Sequence, residues 1–301
     1  MTEIAAEITA DSARVVAYAR TIDDGHRLSL IRALRHSGRI TAEASAQQPT
    51  FDVLTLNLTP SAELSELRAQ LSVWTTTTGI GAACVPAPVH RPGPKLLILD
   101  VDSTLIRQEV IELLAAHAGR EAEVAAVTEA AMRGELDFAR SLHRRVLALE
   151  SLPVSVVDAV VDRIELSDGA EQLVTAYHDA GQPVGVVSGG FSQVLAPLAA
   201  RLRLDFAEAN ELEIVDGHLT GRISGAVVDR RAKERVLRRE AARAGVPLEA
   251  TLAVGDGAND LDMLAAAGLG VAFNAKPAVR ASAGAALDLP DLDVVRYFSG
   301  L

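Results

Sequence analysis

The chain has 301 residues, a net charge of −11 and 49% hydrophobic residues, which excludes a disordered polymer and argues against generic binding to nucleic acid or anionic membrane. Its one cysteine, Cys84, excludes a disulfide framework and a cysteine-built zinc site, and it fits a reducing compartment. No basic-then-apolar leader opens the chain and no apolar run approaches the roughly 20 residues that span a bilayer, so a cytoplasmic protein with no membrane partner is expected.

In chain order, residues 1–88 read as β-α-β-β-α-β. "ARVVAYART" is strand-like. "HRLSLIRALRHSG" has helical spacing with a stop at Gly38. "RITAEAS" and "FDVLTLNLT" alternate as strands, and "SAELSELRAQLSVW" is predicted to be a helix capped by Ser61. "GIGAACVP" supplies a last short strand. That order predicts a small ferredoxin-like α+β sandwich, and it holds no cluster of catalytic residue types. The prolines of "VPAPVHRPGPK" then predict a linker at 89–94 between this domain and a second one over 95–301.

The second domain changes pattern. "KLLILD", "PVGVVSGG", "TLAVGDGAND" and "LGVAFNA" are continuous apolar runs, each ending in a polar or glycine-rich turn, with helical segments between them. This predicts an α/β fold, a Rossmann-like parallel sheet covered on both faces, with ligands beyond the carboxyl ends of the strands. Between the first two runs, residues 107–166 read as several helices: one ending at Gly119, one at Gly134, one behind an Asp137 cap, and one with Pro153 in its first turn. A crossover needs one helix, so the excess predicts a helical cap over the strand ends.

The reactive residue types gather at those ends. Asp100 and Asp102 follow the first run; with period 2 they could point the same way from an extended strand, as a cation site or an acid–base pair, or simply as turn and capping aspartates. An EF-hand fails, because the sixth and twelfth positions from Asp100 are Leu105 and Ile111. Ser188 ends "VVSGG", where backbone N–H groups suit a phosphate, but Val186 breaks the G-x-S-x-G pattern of a nucleophilic serine. "GDGAND" places Asp256, Asn259 and Asp260 at one strand end, more than capping needs; hard oxygen donors without His or Cys suggest Mg²⁺. No Walker A sequence occurs. Lys233, taken alone, reads as one of many solvated lysines or arginines on a helix.

In this order, "DVDST", "SGG", Lys233 and "GDGAND" resemble the four-motif signature of the haloacid-dehalogenase-type phosphatases. "AAMRGELDFARSLHRRVLALESLP" and "ANELEIVDGHLTGRISG" extend the likeness over about 95–281 to their phosphoserine phosphatase branch. The resemblance implies hydrolysis of O-phospho-L-serine, the last step of serine biosynthesis, through an aspartyl-phosphate; a related enzyme for another small phosphomonoester is the alternative. It implies Asp100 as nucleophile and Asp102 as general acid and base. Mg²⁺ would be held by Asp100, the Asp102 carbonyl and Asp256, with Asp260 behind them. Ser188, Gly189, Lys233 and Asn259 would bind substrate at the phosphoryl end, while Glu109 meets its ammonium, Arg145 its carboxylate, and Met132 and Phe138 line the cap. Relatives of this family carry ACT domains, so the first domain is expected to be ACT-like and the protein a homodimer. The turn after its first strand offers Gly25 alone, which leaves serine binding and a structural or dimerising role both open.

Overall fold

A computed structural model describes residues 12–132 and 138–301, the side chains of 129–132 and 138 excepted. The expected helix stop at Gly134 and cap at Asp137 lie outside the described residues.

The first unit runs β1 (Ala13–Ala19), α1 (Asp24–Leu34), β2 (Gly38–Gln47), β3 (Asp52–Pro60), α2 (Leu64–Thr78) and β4 (Gly81–Pro86). Its antiparallel sheet has the order β2-β3-β1-β4, which is the ferredoxin-like arrangement. Strand alternation gives the sheet two apolar faces. Val15, Ala17, Leu54, Leu56 and Leu58 pack on Leu30, Leu34, Leu67, Leu71 and Trp74 of its own helices. Val16, Tyr18, Val53 and Val85 belong instead to the core of the second unit.

Two boundaries differ from the sequence reading. Helix α1 starts before His26 because Asp23 caps it, its Oδ1 accepting the His26 N–H at 2.8 Å; the helix ends at Leu34, and Gly38 opens β2, where its neighbour Thr59 leaves no room for a Cβ. Ser61 does not cap α2; its hydroxyl donates to the His36 carbonyl, and Glu63 takes the cap position without a side-chain bond. The proline-rich stretch also holds a helical turn, α3 (Ala87–His90). Pro88 is tolerated there because first-turn N–H groups have no helical acceptor.

The second unit is built on β5 (Leu96–Leu99), β6 (Val184–Phe191), β7 (Phe206–Val215), β8 (His218–Ser224), β9 (Thr251–Gly255), β10 (Leu269–Phe273) and β11 (Ala285–Leu287). The order is β11-β10-β9-β5-β6-β7-β8, parallel except for the β7/β8 hairpin. Every residue of β5, β9 and β10 is buried, as expected for strands covered on both faces. Helices α8 (Ala170–Asp179), α9 (Ser192–Leu202), α10 (Arg230–Ala244), α11 (Leu261–Ala266), α12 (Pro277–Ser282) and α13 (Val294–Ser299) surround the sheet. The hairpin turns at Asp216 and Gly217, both at positive φ (48° and 74°).

Between β5 and β6 come α4 (Val110–Ala118), α5 (Glu121–Met132), α6 (Phe138–Leu147) and α7 (Ser155–Val161), in the stretch expected to form a helical cap. Gly119 ends α4 at φ 65°. Backbone bonds tie the α6–α7 connection to the hairpin: Ser151 N–H to Leu219 O (2.9 Å), Leu219 N–H to Leu152 O (2.8 Å) and Val154 N–H to Gly217 O (2.9 Å).

The two units share an apolar seam. Tyr18 stacks at a tilt on Phe298 (6.0 Å between centroids), and Phe51 meets Tyr297 edge-on (6.2 Å). Thr50 Oγ1 donates to Asp291 Oδ2 at 2.6 Å across the same seam. Among the described residues no helix is long and apolar enough to cross a membrane.

Candidate active site

Strand β5 lies between β6 and β9, so the residue leaving its carboxyl end enters the middle of the sheet's upper edge. That residue is Asp100, 3% exposed. Its N–H continues the ladder to Val254 O (2.9 Å), and its Oδ1 accepts the Val101 N–H (2.7 Å). The chain then turns tightly through Val101–Leu105 instead of extending, with Ser103 at φ 55°. The period-2 argument for Asp100 and Asp102 therefore does not describe this backbone, yet the turn brings both side chains to one cavity.

Asp102 is held from two sides. Its Oδ1 accepts the Val110 N–H that starts α4 (2.8 Å), and its Oδ2 accepts the Ser188 hydroxyl (3.2 Å). The helix-capping role considered for this aspartate is thus real and coexists with its place in the site. Burial first, then the neighbouring Glu109 and Asp100, push the Asp102 carboxyl up to about 7 against the opposing Val110 bond. Glu109 receives the Ser103 hydroxyl at 2.6 Å, and burial raises it as well.

On the other side of the strand end, β9 delivers Asp256, Asn259 and Asp260. Gly255 lies so close to Asp260 that a Cβ would stand 2.5 Å from its Cγ. Carboxylate oxygens of Asp100, Asp256 and Asp260 all lie within 4.8 Å of one another. Burial and then Asp100 push Asp256 up to about 6, while Thr104 donates to its Oδ1 at 3.3 Å. Lys233, from the first turn of α10, is fully buried between Asp100 Oδ1 (2.7 Å) and Asp260 Oδ1 (2.6 Å). Burial pulls its ammonium down, but the two carboxylates outweigh that and hold it above its usual range. The reading of Lys233 as solvated is corrected by this position. Asp260 has both oxygens engaged, the second by the Gly257 N–H at 3.0 Å.

These groups floor a cavity of about 170 Å³ lined by Asp100, Asp102, Glu109, Arg145, Gly189, Asp256 and Asn259, with Ile111, Leu142 and Phe191 as apolar wall. Ser188, Lys233 and Asp260 stand outside that lining, each bonded to a residue of it or beside it. Arg145 enters from α6, its Nε donating weakly to Ser141 O (3.4 Å). The lining roles expected of the Met132 and Phe138 side chains fall outside the described residues.

Sequence reasoning missed Ile111, Leu142, Phe191, Thr104 and Ser103. Leu142 stands three residues before Arg145 on the same helix face, which was a usable signal. The other wall residues meet only through tertiary packing.

The arrangement is a carboxylate pair on a strand end, a buried ammonium, a close cluster of hard oxygen donors, and a glutamate and an arginine opposite. It can hold an anion near Asp100, neutralise charge there, and move a proton through Asp102.

Comparison with known proteins matches residues 97–265 to the family model of haloacid dehalogenase-like hydrolases. A phosphoserine phosphatase of Streptomyces coelicolor is 52% identical over 283 residues, 92% of this chain and 69% of that protein. One of Mycobacterium tuberculosis is 57% identical over 69% of this chain, which spans only 51% of that relative's length. A solved structure described as a probable phosphoserine phosphatase of Vibrio cholerae superposes with a TM-score of 0.77 at 32% identity, covering 95% of this chain and 86% of that one.

Proposed function

Since this chain belongs to the phosphoserine phosphatases of the haloacid dehalogenase-like hydrolases, we propose that it hydrolyses O-phospho-L-serine to L-serine and phosphate, closing serine biosynthesis. The observation that carries the reading is one cavity with Asp100 and Asp102 on its floor and Glu109 and Arg145 on its walls. An Asp100 oxygen attacks phosphorus, the bond from phosphorus to the serine oxygen breaks, and that oxygen takes the proton held by Asp102. Asp102, now a carboxylate, takes a proton from water, whose oxygen attacks the aspartyl-phosphate and frees Asp100. A carboxyl near 7 suits both halves of this exchange.

The Lys233 ammonium on Asp100 and the Gly189 backbone neutralise and orient the transferring oxygens, the main demand of phosphoryl transfer. Arg145 takes the substrate carboxylate and Glu109 its ammonium.

The donor set fits a hard divalent cation: three carboxylates cluster, and burial followed by the Asp100 charge raises Asp256, a shift that a cation would relieve. Asp100, the Asp102 carbonyl and Asp256 would hold Mg²⁺, which supplies charge neutralisation at the phosphoryl group. Asp260, with both oxygens already engaged, suits a supporting place behind them. The same reading makes the first unit an ACT-like domain and the protein a cytoplasmic homodimer. Strand β2 is the edge of its sheet and offers a second copy ten residues of backbone.

The deciding experiment is phosphate release from phosphoserine by wild type and Asp100→Asn with Mg²⁺ present. Turnover by wild type and loss of at least a thousandfold in the variant are expected; near-normal turnover by Asp100→Asn would sink the mechanism.

A further inference from the structure

The phosphoryl end of the site draws on two separate segments, the Ser188–Gly190 turn within β6 and Lys233 on α10. Asn210, in the middle of β7, bonds to both approaches. It is 2% exposed. Its Nδ2 donates to Gly189 O at 2.8 Å, and its Oδ1 accepts the Val228 N–H at 2.8 Å.

The backbone explains the need. The β6/β7 ladder pairs Val187 with Glu208 and resumes only at Phe191 with Asn210, so Ser188, Gly189 and Gly190 bulge opposite a single residue. That bulge frees the turn to face the cavity and takes the Gly189 carbonyl out of the ladder. Asn210 gives it a donor. Fixing the Gly189 carbonyl fixes the peptide plane that carries the Gly190 N–H, which donates to Ser188 Oγ at 2.7 Å; Ser188 in turn donates to Asp102 Oδ2 at 3.2 Å. On its other side, Val228 immediately precedes Asp229, whose Oδ1 caps α10 through the Ala232 N–H (2.8 Å) and so sets the turn bearing Lys233.

We infer that Asn210 is a positioning residue for phosphoryl transfer, the brace that sets the Ser188–Gly190 turn and Asp102 against the helix that carries Lys233. The inference rests on the phosphatase reading above. The primary amide meets both demands at once, donating to one partner and accepting from the other at any pH in the working range. Alanine satisfies neither. Aspartate matches the shape, but as a carboxylate it turns an oxygen onto the Gly189 carbonyl, and only its protonated form can donate there.

The test uses the full chain with Mg²⁺, phosphoserine and p-nitrophenyl phosphate as substrates, and inorganic phosphate and L-serine as inhibitors. Asn210→Ala is expected to lower kcat at least tenfold on both esters and to weaken inorganic phosphate at least tenfold, with the inhibition constant of L-serine within twofold. Asn210→Asp is expected to recover relative to wild type as pH falls from 8 to 5.5. A purely structural asparagine would lower Tm and leave phosphate affinity and the pH ratio unmoved, and that result overturns the inference. If Asn210→Ala does not fold, the near-isosteric Asn210→Asp decides alone, and a pH-independent ratio overturns it. Wild type that hydrolyses p-nitrophenyl phosphate but not phosphoserine would reject the substrate assignment while leaving Asn210 testable on the generic ester.

Discussion

On the proposed function, Arg145 and Glu109 would carry specificity rather than chemistry, so their loss would have a signature. Arg145→Ala removes a charge-assisted contact worth about 1.5–3 kcal/mol, so kcat/KM on phosphoserine should fall roughly 10- to 150-fold. Phosphoethanolamine lacks the carboxylate and should be turned over by the variant as by wild type; equal losses on both would remove Arg145 from carboxylate recognition. The carboxyls make a second prediction. Asp102, Asp256 and Asp260 are raised by burial to about 7, 6 and 8, so the folded state binds protons more tightly than the unfolded chain. Their contribution is therefore greatest at acid pH and is lost as pH rises through the folded values. Mg²⁺ bound as proposed would compete with those protons, so its stabilisation should grow with pH. A thermal scan should show a larger Mg²⁺-induced rise in Tm at pH 8 than at pH 5.5, and an equal rise at both would contradict the assignment of the cluster. The spacing of Asp100, Asp102 and Glu109 was legible because all three lie on one short stretch. Lys233 was obscured by the arginines around it, although Val236, Leu237 and Glu240 continue its buried stripe at helical spacing. Asn210 gave no local signal, because its partners are 18 and 21 residues away.

At the scale of elements, the parallel strands were legible because burial on both faces leaves continuous apolar runs. The β7/β8 hairpin was not recognised, although "IVDGHL" carries an Asp-Gly turn between alternating segments. Strand β11 has only three residues and no pattern to read. The hairpin turn needs Gly217 at φ 74°, so Gly217→Val should cost about 1–2 kcal/mol. Chemical denaturation should show a lower midpoint with an unchanged slope; an unchanged midpoint would mean that the turn tolerates a β-branched residue. The missed α1 cap has a plain cause: Asp23 lies outside the apolar periodicity that marked the helix from His26 onward.

For the whole molecule, the decisive fact is that the first unit's sheet packs on both sides within one chain, against its own helices and against the second unit. Composition and pattern predicted two units but not their seam, because each face of a two-faced strand looks alike in sequence. Phe298 is fully buried at that seam against Tyr18. Phe298→Ala should cost about 3–5 kcal/mol. Wild type should unfold in one calorimetric transition, since neither unit can lose the other without exposing core; two resolved transitions would show the units to be independent. The tie between the hairpin and residues 151–154 has a further consequence. Those backbone bonds tie the hairpin to the connection that follows α6, the helix bearing Leu142 and Arg145, so the hairpin braces one wall of the site from outside. Residues inserted at the Asp216–Gly217 turn should therefore shift α6 and change the size of molecule admitted, without altering the identity of a single side chain of the cavity.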